Sequence, residues 1–262
     1  MTEGARFDDA RAGGGWPRGN RVRDESANDL GQPVGDAVPD WRAPPLPARA
    51  ALSGRTCVVV PLEADTHAVA LFEAFSADRD GAGWTYLPYG PFPDRNAFDA
   101  WLTEQAAQVD PRFFAVVDKA SGLASGLAAY MRVQPAMGVL ELGHIHLAPR
   151  LQRTVAATEA LYRMIDHAFA LGYRRCEWKC NALNAASRRA ALRLGFQYEG
   201  TFRQAAVIKG RNRDTAWFSL LDREWPAIRP GYEAWLSPDN FTSDGRQRCR
   251  LSELIARHQS AC

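Results

Sequence analysis

The sequence predicts a mixed α/β (α+β) domain, a central mixed sheet flanked by helices, and three observations carry that prediction. Residues 140–196 run as an apolar strand, an amphipathic helix, a second strand and a second helix, the pattern of a right-handed crossover joining two parallel strands. Apolar and β-branched runs at 56–60, 113–117, 127–133 and 139–147 supply further strands. The composition is globular, with 262 residues of which 46% are hydrophobic, enough for one substantial core plus an appendage.

Each element has a local cause. Residues 1–45 are rich in Gly, Arg, Asp and Pro, from Gly13-Gly14-Gly15 to Pro44-Pro45, without a sustained apolar period. Such a segment buries too little apolar surface to order itself, so a disordered leader is expected. A competing arrangement lays residues 41–46 along the domain as an extended strap, because Trp41 is costly to leave in water. Residues 56–60, stopped by Pro61, read as the first strand of the domain, and Asp65-Thr66 opens a helix carrying Val69, Phe72 and Phe75. After an aromatic loop from Trp84 to Phe92, Asp94 caps a second helix that runs to Gln108. Strands at 113–117, 127–133 and 139–147 follow, the first turning at Ala120-Ser121-Gly122. The helix opened by Gln152-Arg153-Thr154, a strand through Trp178 and a helix closed by Leu194-Gly195-Phe196 complete the crossover unit. A last hairpin joins residues 205–208 to 216–221 around Lys209-Gly210-Arg211-Asn212. The organisation expected is a leader at 1–45, a domain at 46–226 and a C-terminal extension at 227–262 packed on it, with Trp235, Phe241 and a short terminal helix.

Charge and cysteine content narrow the function. Thirty-two basic and 30 acidic residues are interspersed, giving a net charge of +2, which argues against nucleic acid as the main partner. Five cysteines, an odd number in a chain of this size, argue against a secreted disulfide framework and for a reducing cytoplasm. No apolar run is long enough to cross a bilayer, and Met1-Thr2-Glu3-Gly4 does not open a signal peptide. The sequence leaves oligomeric state open, a homodimer included.

Taken together, Glu141-Leu142-Gly143 on the central strand, Ala157-Thr158-Glu159-Ala160 in the next helix, Asn184 with Ser187, and Leu194-Gly195-Phe196 followed by Gly200 have a specific order and spacing. The chain resembles the GNAT acetyltransferases over residues 55–226, and within them the branch of the ribosomal-protein N-terminal acetyltransferases RimJ and RimL. The resemblance implies acetyl-CoA as co-substrate, direct attack of an amine on its thioester, and either a small-molecule amine or a protein N-terminus as acceptor. It also implies that the pyrophosphate rests on backbone N–H groups within Gln/Arg-x-x-Gly-x-Gly/Ala, here Gln152-Arg153-Thr154-Val155-Ala156-Ala157. Val155 stands where the first glycine is usual, placing a Cβ where phosphate approaches backbone. The helix dipole and N–H groups remain, and Arg150 and Arg153 add charge, so binding is expected to persist.

An alkyl ammonium with a pKa of about 10 must lose a proton before attack. Glu141 is the first candidate base and His144 the alternative. Strict alternation puts Glu141 and Gly143 on one face and His144 and His146 on the other, unless a bulge intervenes. Such a bulge, common in the family, would aim an N–H near Leu147 at the thioester oxygen. The family pattern makes Asn184 a cofactor contact and Ser187 an acid for the departing thiolate. Each has a plainer role to set beside this: Glu141 can pair with an arginine, the histidines can be core residues, and Asn184 can simply cap its helix.

His144 and His146 with Cys176 and Cys180 could supply zinc ligands, but the short Cys-x-x-Cys knuckle is absent and no metal is expected. Neither a Gly-x-Ser-x-Gly elbow nor a Gly-x-Gly-x-x-Gly loop occurs. The aromatic loop reads equally as an acceptor wall or a core cap, and the charged hairpin tip 209–214 as a further approach to the acceptor or, more simply, a solvated turn. Trp178 and Trp217 read as core or groove lining. The alternative to an enzyme is a non-catalytic acyl-CoA-binding or protein-interaction module, motivated by Val155 and the terminal segments.

Overall fold

The computed structural model describes residues 26–260, in two units divided after Arg42. The first 25 residues of the expected leader, and Cys262 with the residue before it, lie outside the described residues. In the first unit, Ser26–Ala27 (β1) pairs antiparallel with Pro33–Val34 (β2). The Asn28 side chain closes their turn by accepting from the N–H groups of Leu30 and Gln32, both at 3.0 Å. This local hairpin stands inside the segment for which composition predicts no order; an Asx turn needs no hydrophobic core.

The second unit opens with an extended strap. Tyr173 donates its hydroxyl to the Pro45 carbonyl (3.1 Å), Arg112 donates to Pro47, and Arg49 donates to the carbonyls of Ala106 (3.2 Å) and Leu62 (3.0 Å). Eight strands then form one sheet: Leu52–Ser53 (β3), Cys57–Pro61 (β4), Arg112–Asp118 (β5), Ala124–Gln134 (β6), Val139–Leu147 (β7), Arg175–Asn181 (β8), Gln197–Ile208 (β9) and Arg211–Leu221 (β10). Their spatial order is β3-β4-β5-β6-β7-β8-β10-β9, antiparallel except for the pair β7 and β8. That single parallel pair is the crossover the sequence predicts, carried by the helix Val155–Ala170 (α3).

Each face of the sheet buries its own cluster. Helices Ala64–Ser76 (α1) and Arg95–Ala107 (α2) cover one face with Leu71, Phe75, Phe98 and Leu102 against Phe113, Leu127 and Ala129. Asp94 caps α2 as predicted, accepting from the Ala97 N–H at 2.9 Å. In α1 the buried positions are His67, Ala68, Leu71, Ala74 and Phe75, and Val69 points to solvent instead of the core. Helix α3 covers the other face, together with Ala185–Arg193 (α4), Trp225–Leu236 (α5) and Leu251–Gln259 (α6). Helix α5 hid in the sequence behind two prolines. One lies in its first turn, where a missing N–H costs nothing, and Pro230 lies inside it. Strand β9 begins eight residues earlier than the expected residue 205. Its mostly exposed residues follow no apolar alternation there. Among the described residues no helix is long and apolar enough to cross a membrane.

Candidate active site

The sheet opens where β7 leaves β8. Their parallel register holds only for Val139↔Arg175, Leu140↔Cys176 and Glu141↔Glu177. Beyond Glu141, β7 stays with β6 and β8 stays with β10. A bulge marks the departure: Gly143 pairs with Ala129 and His146 with Leu127, so two residues of β7 face one of β6, and His144 takes a φ of 51°. The Ala148 N–H donates to Ser125 on the β6 side at 2.9 Å. Alternation therefore turns the N–H and carbonyl of Leu147 the other way, toward the gap. The Leu147 carbonyl accepts from Gln152 Nε2 at 2.9 Å, and its N–H is left facing that gap.

The start of α3 meets the same edge. The Ala148 carbonyl accepts from Leu151 (2.8 Å) and Gln152 (3.0 Å), and Arg153 turns the chain with a φ of 63°. Thr154 caps the helix, accepting from the Ala157 N–H at 3.1 Å. Ala157 thus gives its N–H to the cap, while those of Val155 and Ala156 have no acceptor within the helix. The half-buried Val155 side chain packs against the core. Arg150 is tied to the start of β6, through Ser125 (2.9 Å) and the Ala124 carbonyl (3.2 Å), while Arg153 is exposed. Open N–H groups at a helix N-terminus beside a gap in the sheet fit a diphosphate with an extended tail. The motif carboxylate Glu159 is structural: it accepts from the backbones of Arg55 (2.6 Å) and Thr56 (2.7 Å) and from the Thr56 hydroxyl (2.6 Å). Burial pushes its pKa up, but these hydrogen bonds outweigh burial and hold it below its usual value.

Asn184 caps α4, accepting from the Ser187 N–H at 3.0 Å, and Ser187 Oγ accepts from Trp178 Nε1 at 2.9 Å. Trp178, with Cys176 and Cys180, belongs to the α3 face. Glu141, His144 and His146 lie on the α1/α2 face, because the bulge restores both histidines to the side of Glu141. Alternation alone predicts the opposite. The gap separates Ser187 from the other two candidates, and the sheet likewise keeps His144 and His146 apart from Cys176 and Cys180. Among the described residues no three His, Cys, Asp or Glu groups are placed to hold a metal ion.

On the α1/α2 face, Glu141 is buried and its Oε2 meets Arg132 at 2.6 Å and Lys179 at 3.1 Å. Lys179 also meets Glu177 (2.7 Å) and lies 3.7 Å over the Trp217 ring. Arg175 continues the chain to Glu177 (2.8 Å) and Glu199 (2.5 Å). His144 Nδ1 meets the Tyr89 hydroxyl at 2.9 Å and the two rings stack at 5.6 Å. Burial above all, with Arg132 and Arg213 nearby, pushes the His144 pKa down to about 4, and burial also pushes Tyr89 up. The aromatic loop caps the core at Trp84, which is buried against Phe75 and His146, while Tyr89 reaches His144. Gly90, with a φ of 61°, is required because a Cβ there would lie 2.6 Å from the Trp84 ring. The hairpin tip is not merely solvated, for Lys209 Nζ donates to the carbonyls of Trp84 (2.8 Å) and Gly90 (2.5 Å) and clasps that loop.

Sequence reasoning missed Tyr89 as an individual partner, and missed Arg132, Glu177, Lys179 and Arg213. The usable signal was the scarcity of lysine, since the chain has only Lys119, Lys179 and Lys209, and two of these are fixed in this site.

Residues 57–197 match the family model of the acetyltransferase (GNAT) domain. A solved GCN5-related N-acetyltransferase from Brucella melitensis is 47% identical, over 84% of this chain and all of that one, with a TM-score of 0.82. An uncharacterised N-acetyltransferase, p20, of Bacillus licheniformis is 31% identical over 113 residues, which are 43% of this chain and 63% of the relative. A solved RimL, a ribosomal L7/L12 alpha-N-protein acetyltransferase, is 17% identical over 66% of this chain and 94% of its own, with a TM-score of 0.57, and shares the fold.

Proposed function

Because the chain belongs to the GNAT acetyltransferase family, we propose that it transfers an acetyl group from acetyl-CoA to a primary amine by direct attack within a ternary complex, as a relative of the RimJ/RimL branch. The observation that carries this reading is the gap between β7 and β8, which opens at one edge onto the free N–H groups of α3 and on one face onto the His144–Tyr89 pair. Acetyl-CoA, when bound, supplies an activated acyl carbon open to a neutral amine. The first-turn N–H groups of Val155 and Ala156, with the α3 dipole, hold the pyrophosphate. Gln152 fixes the Leu147 carbonyl, which orients the Leu147 N–H for the oxygen on which negative charge develops. His144 takes the proton as the amine attacks and its nitrogen turns acidic: burial keeps the imidazole neutral at pH 7 but weakly basic, and its Nδ1 is oriented by Tyr89. Glu141 is the weaker choice of base, because Arg132 and Lys179 already occupy its Oε2. Ser187 accepts from Trp178 and hydrogen-bonds the Cys180 thiol, so as the acid it turns its O–H from Cys180 to the departing sulfur.

Isothermal titration with acetyl-CoA and CoA, followed by transfer assays on primary amines, tests this reading. Micromolar binding is expected. His144→Ala is expected to lower kcat about 100-fold without weakening acetyl-CoA binding, and Glu141→Gln to lower it less. No binding at millimolar acetyl-CoA removes the enzyme reading and leaves the interaction-module alternative.

A further inference from the structure

We propose that the acceptor amine carries an oxyanion, a carboxylate or a phosphate, and that Arg213 is the residue that binds it. This rests on the acetyltransferase reading above and names the acceptor class for the same site.

The argument begins with charge. The network on the α1/α2 face, buried at Glu141 and Glu177 and exposed at Arg132 and Glu199, contains three carboxylates, Glu141, Glu177 and Glu199, and three cations, Arg132, Lys179 and Arg175, which satisfy one another within 3.1 Å. Arg213 is left over. It is half-buried, and its single hydrogen bond to the described residues runs from Nε to Thr215 Oγ1 at 3.2 Å. Among the described residues no carboxylate lies within ion-pair distance of it. Burial pushes its pKa down. A cation withdrawn from water without a counter-charge is costly, and a bound anion relieves that cost.

Its place in the fold fits an acceptor contact. Strand β10 pairs with β8 only as far as Thr215↔Asn181, so Arg213 lies two residues beyond the end of that pairing, where the gap is open. The backbone is fixed there, since the Asp214 carbonyl accepts from the Ala182 N–H at 2.8 Å. Arg213 and Arg132 both act electrostatically on His144, and Arg213 also feels Cys180 and Glu141, so it lies within electrostatic reach of the candidate bases. With Nε held by Thr215, both Nη atoms remain as a planar fork suited to a two-oxygen anion. The positive excess at this point opposes an acceptor whose only charge is its ammonium. An acceptor with its own anion enters favourably and is anchored with the amine free to reach His144.

The test offers matched acceptors to the full chain with acetyl-CoA: an amino acid against its carboxamide, an aminoalkyl phosphate against the corresponding amino alcohol, and a peptide N-terminus without acidic residues. The anionic members are expected to be preferred at least about tenfold in kcat/KM, and the carboxylate and phosphate pairs show which oxyanion is used. Arg213→Ala should erase the preference mainly through the KM of the anionic acceptors, cost the uncharged acceptors less than the anionic ones, and be partly rescued by Arg213→Lys. Equal use of charged and uncharged acceptors, or an equal loss for both in Arg213→Ala, overturns the proposal while the acetyltransferase reading stands. Acetyl-CoA bound but no member acetylated also overturns it, because the panel spans both oxyanions. Absence of acetyl-CoA binding, measured separately, instead removes the underlying reading.

Discussion

His146 has no hydrogen-bond partner at its buried Nε2 and packs against the rings of Trp84 (3.8 Å) and Phe75 (4.3 Å). Burial there pushes its pKa down to about 4, the same value that burial gives His144. In the unfolded chain both titrate near 6.5. Above that pH neither state is protonated and the pair costs nothing; between 6.5 and 4 the unfolded chain takes up protons that the fold refuses. Stability is therefore lost as pH falls through that window, by up to about 3 kcal/mol for each histidine. Urea unfolding between pH 7 and pH 4 is expected to show this slope, to which His67 and His167, also lowered by burial, add, and His146→Phe, which keeps an aromatic ring in the slot, should shed the His146 share of it. An unchanged slope in that variant would show that His146 ionises freely in the fold. The same depression bears on catalysis: with His144 neutral down to about pH 4, kcat/KM should show no limb near 6.5 and should rise toward the pKa of the acceptor amine. The candidate residues Glu141, His144 and Ser187 were legible as motif positions, but their facing was not. The bulge at His144 decides it, and nothing in the residue types marks where a strand takes an extra residue.

At the scale of elements, the start of α3 decides whether the departure at Val155 matters. The Val155 side chain packs against the core. Val155→Gly is expected to cost about 1–2 kcal/mol in stability through lost packing and added backbone freedom. Acetyl-CoA affinity should be unchanged by titration. A tenfold tightening would mean instead that the Val155 Cβ crowds the phosphate. The crossover unit, α1, α2 and β4–β8 were readable because each joins an apolar period to a capping or turn residue, Asp94 and Thr154 being the clearest. Helix α5 and the first half of β9 were not. Proline is normally a stop, yet Pro230 sits within α5. Residues 197–204 are almost all exposed, so burial wrote no alternation into them.

For the molecule as a whole, the α3 face of the sheet is completed only by the C-terminal helices. Tyr232 on α5 stacks on Tyr162 of α3 at 4.8 Å and donates to the Leu194 carbonyl at the end of α4 at 2.7 Å. The helices that border the gap are thus braced by a segment beyond residue 226. Gly231 is where that brace meets α6: a Cβ there would stand 2.8 Å from both the Cα and N of Ile255. Those are backbone atoms and cannot rotate aside, so Gly231→Ala must push α6 away from α5. The expected cost is about 1–3 kcal/mol, read as a lower thermal midpoint. Because Tyr232 links α5 to both α3 and α4, the displacement should also weaken acetyl-CoA binding, although Gly231 lies on the helix pair outside the gap. Glu233→Ala, on the exposed side of the same helix, is the control and should change neither quantity appreciably. A lower midpoint with unchanged acetyl-CoA affinity would confine the C-terminal helices to stability. A joint loss would make them part of the scaffold that sets the cofactor end of the site.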